Sequence, residues 1–148
     1  NLPHRLETIF KNRKFEIIND SKATNFDSSI VGINSIQKSQ IIISGGRKKQ
    51  GDYKQWAKII SQKCHSIFLF GECAYELKLI LDKENIKKQI FCFDNLSDLV
   101  VQVLVHAKKE NVSTILFSPA CSSFDQFKNY EERGNYFKFL VDEAINKK

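Results

Sequence analysis

The 148-residue chain contains no methionine, only two prolines and only six glycines. So little proline and glycine excludes collagen-like and low-complexity linker sequence and leaves long stretches able to run as unbroken helix or strand. No apolar run approaches the roughly 20 residues that cross a bilayer as a helix, and no apolar signal segment opens the chain. The four cysteines, at 64, 73, 92 and 121, form no C-x-x-C pair and each lies in or beside an apolar segment. That spacing points away from disulfide frameworks and zinc ribbons, and toward reduced, buried thiols in a cytoplasmic setting. A chain opening at Asn1 with no encoded start is expected to be a piece of a larger protein.

What is present fits a single α/β domain. At 148 residues the chain can bury about two-thirds of its unfolded surface, enough for a real core. Its net charge of +6 comes from lysines and arginines spread over helix ends and turns. They are not interleaved with stacking aromatics, so a generic basic surface is expected, with no nucleic-acid or membrane partner. Leu6–Phe10 and Lys14–Ile18, joined by a polar turn, read as a hairpin. Helix and strand then alternate: helix 25–37, strand 40–44, helix 53–62, strand 66–70, helix 73–84, strand 89–93, helix 97–109, strand 113–117 and helix 125–146. The strands are short continuous apolar runs, as expected when helices cover both faces. The result is a Rossmann-like three-layer domain with about six strands, mostly parallel, and one antiparallel edge strand from the hairpin.

The polar and glycine-rich clusters all follow strands: Asn19–Thr24, Gly45–Asp52, Gly71-Glu72, Asp94-Asn95 and Ser118–Ser123. In a parallel sheet they gather along one edge, where open α/β sheets bind ligands. Asp20, Ser21 and Lys22 place an acid, a hydroxyl and a compact cation at a strand-to-helix junction. They suit a nucleotide and a transferring phosphate, or an ordinary helix start capped by Asp20 or Thr24. Gly45-Gly46 allows close backbone approach to a ligand, or forms a solvated basic turn with Arg47, Lys48 and Lys49. No G-x-x-x-x-G-K-S/T phosphate loop occurs. Ser122 or Ser123 is expected to cap the last helix, with Asp125 in its first turn, unless the hydroxyls face an anionic ligand. His4 is expected to serve local hydrogen bonding, and His65, His106 and Trp56 to be structural. Cys121 has no evident histidine partner for nucleophilic work.

Three blocks carry a resemblance that spans most of the chain. Ser118 to Gly134 (SPACSSFDQFKNYEERG), Leu2 to Glu7 with Asn19 to Asn25 (LPHRLE and NDSKATN), and Gly45 to Tyr53 (GGRKKQGDY) resemble, in order, segments of the Mur ligases, specifically the D-glutamate-adding branch. The resemblance implies the C-terminal, amino-acid-binding domain of a three-domain ATP-dependent ligase of peptidoglycan precursor synthesis, monomeric and cytoplasmic. It implies Arg5 on the ATP phosphates, Asp20 on the ribose, and Lys22 and Thr24 facing the reacting centre and the incoming amino acid. Lys49 would bind the α-carboxylate of D-glutamate and Ser123 its side-chain carboxylate, with Phe124 and Tyr130 closing over it. Relatives place an acidic residue before that lysine, so Lys48 competes with Lys49 for the role. Partners would be D-glutamate, UDP-N-acetylmuramoyl-L-alanine, ATP and Mg2+, the metal and phosphate loop belonging mostly to a central domain outside this chain. A chain of this kind is expected to be inactive alone. Rival readings are another Mur ligase or folylpolyglutamate synthetase domain, and a non-enzymatic nucleotide-binding module. The Asp-Asn-Pro-Arg signature of the diamino-acid-adding branch is absent.

Overall fold

The computed structural model describes residues 2–47, 51–123 and 126–146. A hairpin, β1 (Glu7–Lys11) and β2 (Glu16–Asn19), opens the chain. Then come α1 (Phe26–Asn34), β3 (Gln40–Gly45), α2 (Tyr53–Lys63), β4 (Cys64–Phe70), α3 (Ala74–Lys83), β5 (Gln89–Phe93), α4 (Leu96–Glu110), β6 (Thr114–Ala120) and α5 (Tyr130–Asn146). The six strands form one sheet in the order β1-β2-β6-β3-β4-β5. Among the described residues only the β1–β2 pair is antiparallel, so the expected architecture and its hairpin edge are both present.

The central strands are isoleucine-rich because both of their faces are covered. In β3, Ile42 packs with α1, α2 and α3, while Ile41 and Ile43 face α4 and α5. All three are fully buried, and each such side chain contributes about 1.5–3 kcal/mol by leaving water. The polar side chains in this interior pair with one another. Trp56 Nε1 donates to Ser29 Oγ (3.0 Å), Ser29 Oγ bonds Ser118 Oγ (2.6 Å), and Ser44 Oγ donates to the Ser118 carbonyl (2.7 Å). Trp56 is thus the core contact expected, with a hydrogen bond as well.

Three boundaries differ from the sequence expectation by three residues or more, the first being the end of α1 at Asn34 in place of residue 37. Strand β6 runs through Ser118 and Pro119 to Ala120, three residues past Phe117. Its pairing with β2 stops at Phe117, but β3 continues beside it to Gly45↔Ala120 across a register shift. Proline is tolerated at such an irregularity because it interrupts a ladder that is already broken. The last helix starts at Tyr130 rather than near Asp125. Asn129, not Ser122 or Ser123, caps it, accepting from Glu132 N at 2.8 Å. Likewise Asn25 caps α1, accepting from Ser28 N at 2.8 Å, in place of Asp20 or Thr24. Cys64, Cys73 and Cys121 are buried, but Cys92 is exposed because β5 is an edge strand.

Gly45 ends β3 with φ of 145°, and a Cβ there would lie 2.0 Å from the Phe70 carbonyl oxygen of β4. A neighbouring backbone cannot yield as a side-chain tip can. Gly45→Ala should therefore lower unfolding stability by about 2–4 kcal/mol, read by chemical denaturation.

Candidate functional site: the strand-end edge

Because β2, β6, β3, β4 and β5 run in parallel, their C-terminal ends meet on one edge, and four of the loops there are joined by hydrogen bonds. The segment before β1 folds back over the turn after β2. Lys22 N donates to the His4 carbonyl (2.9 Å), and Leu6 N donates to Asp20 Oδ1 (3.1 Å). His4 and Leu6, the residues flanking Arg5, both hold left-handed backbone, with φ of 65° and 46°. That conformation is costly for a bulky side chain such as leucine and persists only where surrounding contacts enforce it. It delivers the exposed Arg5 side chain beside Asp20, whose acidity its charge affects.

His4 is buried, and its Nδ1 bonds Asn19 Nδ2 at 3.0 Å, the local role expected of it. Burial, helped by the Lys138 charge, lowers its pKa and favours the neutral ring. A Cβ on Gly134 of α5 would fall 2.1 Å from His4 Nδ1, so only glycine lets the helix approach this ring. Glu7 accepts from His4 N (3.1 Å) and pairs with Lys138 Nζ (3.1 Å). Burial raises the Glu7 pKa, but these partners outweigh it and hold the carboxyl below its ordinary range.

The other loops close around the same point. Ala120 N donates to the Ala23 carbonyl (2.9 Å), drawing the end of β6 against the turn that precedes Thr24. Arg47 N donates to the Ser122 carbonyl (2.9 Å), and a Cβ on Gly46 would strike that oxygen at 2.3 Å. The glycine pair therefore serves close backbone approach between two loops. The Gly46 carbonyl in turn accepts from Cys73 N (2.8 Å) at the start of α3. Lys22 is exposed and its Nζ lies 5.9 Å from the centre of the Tyr130 ring, within reach of a cation–π contact. Ser123 is buried in the loop beyond β6.

Of the residues singled out from sequence, Arg5, Asp20, Lys22, Thr24, Ser123 and Tyr130 all lie on this edge. Lys48, Lys49 and Phe124 lie outside the described residues. The sequence reading missed Arg133. Its fully buried guanidinium donates from Nε to Ser21 Oγ (3.0 Å), from Nη2 to the Ser21 carbonyl (2.7 Å) and from Nη1 to the Cys121 carbonyl (2.9 Å). Ser21 Oγ itself donates to the Tyr130 carbonyl (2.7 Å). A signal was available: Arg133, Phe137 and Val141 share the buried face of α5 at four-residue spacing, where a solvated arginine would not sit.

Among solved structures, the chain resembles Mycobacterium tuberculosis folylpolyglutamate synthase complexed with ADP (TM-score 0.63, 12% identity, 95% of this chain and 32% of that one). It resembles MurF from Acinetobacter baumannii equally well (TM-score 0.63, 13% identity, 99% and 31%). The fold is thus that of a domain found in Mur ligases and folylpolyglutamate synthases. Within that class the sequence is specific. It is 58% identical over 144 residues to the UDP-N-acetylmuramoylalanine–D-glutamate ligase of Prochlorococcus marinus (strain MIT 9312), covering 97% of this chain and 31% of the relative. The counterpart from Gloeobacter violaceus is 37% identical over 140 residues, covering 95% and 32%. The chain belongs to this D-glutamate ligase family and spans about a third of the length of these relatives. No family model matches it.

Two predictions follow from the edge. Burial lifts the Asp20 carboxyl from 3.8 to about 6, although the Leu6 N–H and the Arg5 charge both act to lower it. The native state therefore binds this proton more tightly than the unfolded chain. The Asp20 contribution to stability is fully present below pH 4 and is lost as pH rises through 6. The change is about 3 kcal/mol, and it should appear as the difference between the parent and Asp20→Asn in denaturation at pH 4 and pH 7. Arg133→Met leaves the Ser21 and Cys121 carbonyls without this donor and should cost about 2–4 kcal/mol, measured the same way.

Proposed function

We propose that the chain is the C-terminal, amino-acid-binding domain of a three-domain ATP-dependent ligase. The enzyme would join D-glutamate to UDP-N-acetylmuramoyl-L-alanine in peptidoglycan precursor synthesis. The observation that carries this is the 58% identity to a ligase of that name over nearly the whole chain. In the proposed reaction the muramoyl-alanine carboxylate takes the γ-phosphate of ATP, giving an acyl phosphate and ADP. The D-glutamate amine attacks the acyl carbon, and phosphate leaves with the bond electrons. Two folylpolyglutamate synthase structures of this fold are ADP complexes, which supports the nucleotide assignment.

Arg5 would meet the ATP phosphates and Asp20 the ribose, held as a pair by the Leu6 N–H and the strained turn around Arg5. Lys22 would face the transferring phosphoryl group as a point charge. Thr24 and Lys49, or Lys48 in its place, would hold the α-carboxylate of D-glutamate. Ser123 would take the side-chain carboxylate, and Phe124 and Tyr130 would close over the amino acid. Magnesium would offset phosphate charge. Its ligands would come mostly from a central domain outside this chain.

The isolated chain, which has no phosphate loop, should show no ATP turnover or ligation with the full substrate set; ligation by this chain alone overturns the domain assignment. In the intact parent enzyme, Lys49→Ala should raise the KM for D-glutamate roughly ten- to hundredfold, with a smaller effect on ATP, because a charged hydrogen bond is lost. Ser123→Ala should cost less and relax discrimination against analogues without the side-chain carboxylate. If Lys48→Ala alone gives the full defect, the lysine register shifts by one; if neither lysine matters, the pocket assignment fails.

A further inference from the structure

The short turn that carries Arg5 is held through its backbone. His4 N donates to Glu7 Oε1 (3.1 Å), Arg5 N to the Leu2 carbonyl (3.3 Å) and Leu6 N to Asp20 Oδ1 (3.1 Å). Every backbone N–H from His4 to Leu6 is therefore engaged. A turn with left-handed residues on both sides of Arg5 needs such bonds, because His4 and Leu6 would relax to ordinary backbone if released. The Leu2 carbonyl is a local partner, and Asp20 already has a place in the proposed reaction. Glu7 has none, yet it is the best connected of the three.

Besides His4 N, the same Glu7 oxygen accepts from Asn19 Nδ2 (3.3 Å) and pairs with Lys138 Nζ (3.1 Å). Asn19 stands opposite Glu7 in the hairpin register, and Lys138 lies on α5. Asn19 in turn accepts from Ser21 N through its Oδ1 (3.1 Å), at the start of the loop that carries Lys22. One carboxylate oxygen thus fastens the Arg5 turn to β2 and to α5. A side chain reaching back three residues to a backbone N–H is the same device that closes a capping box. A charged acceptor makes each of these bonds stronger than a neutral one would. The Glu7 side chain is 26% exposed and its charge is matched by Lys138. It therefore adds no unbalanced negative charge where phosphates would bind.

We propose that Glu7 is a positioning residue for nucleotide binding: its carboxylate, bonded to His4 N, Asn19 and Lys138, holds the left-handed turn that presents the Arg5 guanidinium to the ATP phosphates. The inference rests on the assignment of Arg5 to those phosphates. An arginine on a loose turn must freeze backbone as well as side chain when it binds, and a turn fixed beforehand removes part of that loss.

The test is steady-state kinetics of the intact parent enzyme, with thermal melts confirming that each variant is folded. Arg5→Ala sets the scale by raising the KM for ATP. Glu7→Ala should raise the KM for ATP about tenfold and leave that for D-glutamate within about twofold. Glu7→Gln, whose amide oxygen can still accept from His4 N and Asn19, should keep the KM for ATP within about threefold of the parent. Added to Arg5→Ala, Glu7→Ala should raise the KM for ATP no further, because Arg5 is the group it positions. If Glu7→Ala does not fold, Glu7→Asp carries the same expectation, since its shorter side chain draws the oxygen back from His4 N. An unchanged KM for ATP in the folded Glu7 variants, beside a raised one in Arg5→Ala, overturns the proposal. So do Glu7→Ala and Arg5→Ala effects that add in full, a Glu7→Gln enzyme as impaired as Glu7→Ala, or equal increases for ATP and D-glutamate. If Arg5→Ala itself leaves the KM for ATP unchanged, the assignment of Arg5 fails and the inference fails with it.

Discussion

A buried guanidinium holds the site edge together. Arg133 enters from the first turns of α5 and reaches three acceptors on two loops, at Ser21 and Cys121, that are far apart in sequence. One loop carries Asp20 and Lys22, the other Ser123. Hydrogen bonds to a charged donor contribute about 1.5–3 kcal/mol each, and neutral acceptors buried without one cost a comparable amount. The two loops therefore have a common fixed point, and their separation is set by a rigid planar group. Arginine suits that task where lysine would not, because its five donors are fixed in one plane.

Around this point, helix electrostatics sort the charges. Asp27, Glu76 and Asp98 lie in the first turns of α1, α3 and α4, and Lys63, Lys83, Lys108 and Lys109 in the last turns of α2, α3 and α4. Each sign complements the dipole end it occupies. Since these helices return antiparallel to their strands, the four lysines lie on the edge away from the site and the three acids near it. Arg5, Lys22 and Arg47 are set among those acids, so their positive charge is locally distinctive even though the chain as a whole is basic.

The fold was largely legible in the sequence, because strands buried on both faces leave continuous apolar runs that polar turns delimit sharply. The edge strands β1 and β5, only partly buried, were legible because their apolar residues still stand between polar turns. The beginning of α5 was not. A hydroxyl-rich stretch looks like a cap wherever it occurs, and only the tertiary structure shows the Ser122 carbonyl bonded to Arg47 N of another loop and the Ser123 carbonyl to Phe127 N of its own, while Asn129 begins the helix. The extension of β6 through Pro119 was not legible either, since the register shift that tolerates a proline is invisible in one dimension. The clustering of Asp20, Lys22 and Ser123 followed from parallel topology alone. Arg133 went unseen because charge was read as a sign of solvent exposure, although its spacing from Phe137 and Val141 said otherwise.

The strand order has a consequence for how the chain acquires its structure. β6 is the last strand in sequence, yet it lies between β2 and β3 in the middle of the sheet. During synthesis the hairpin and the β3–β4–β5 half have no direct ladder between them until residues 114–120 emerge. Closing such non-local pairings is slow, and the waiting edges of β2 and β3 are exposed in the interval. The two halves of the strand-end edge are therefore assembled late, by a single insertion event. Nascent chains halted before Thr114 should be protease-sensitive in the hairpin, while chains released beyond Arg133 should not.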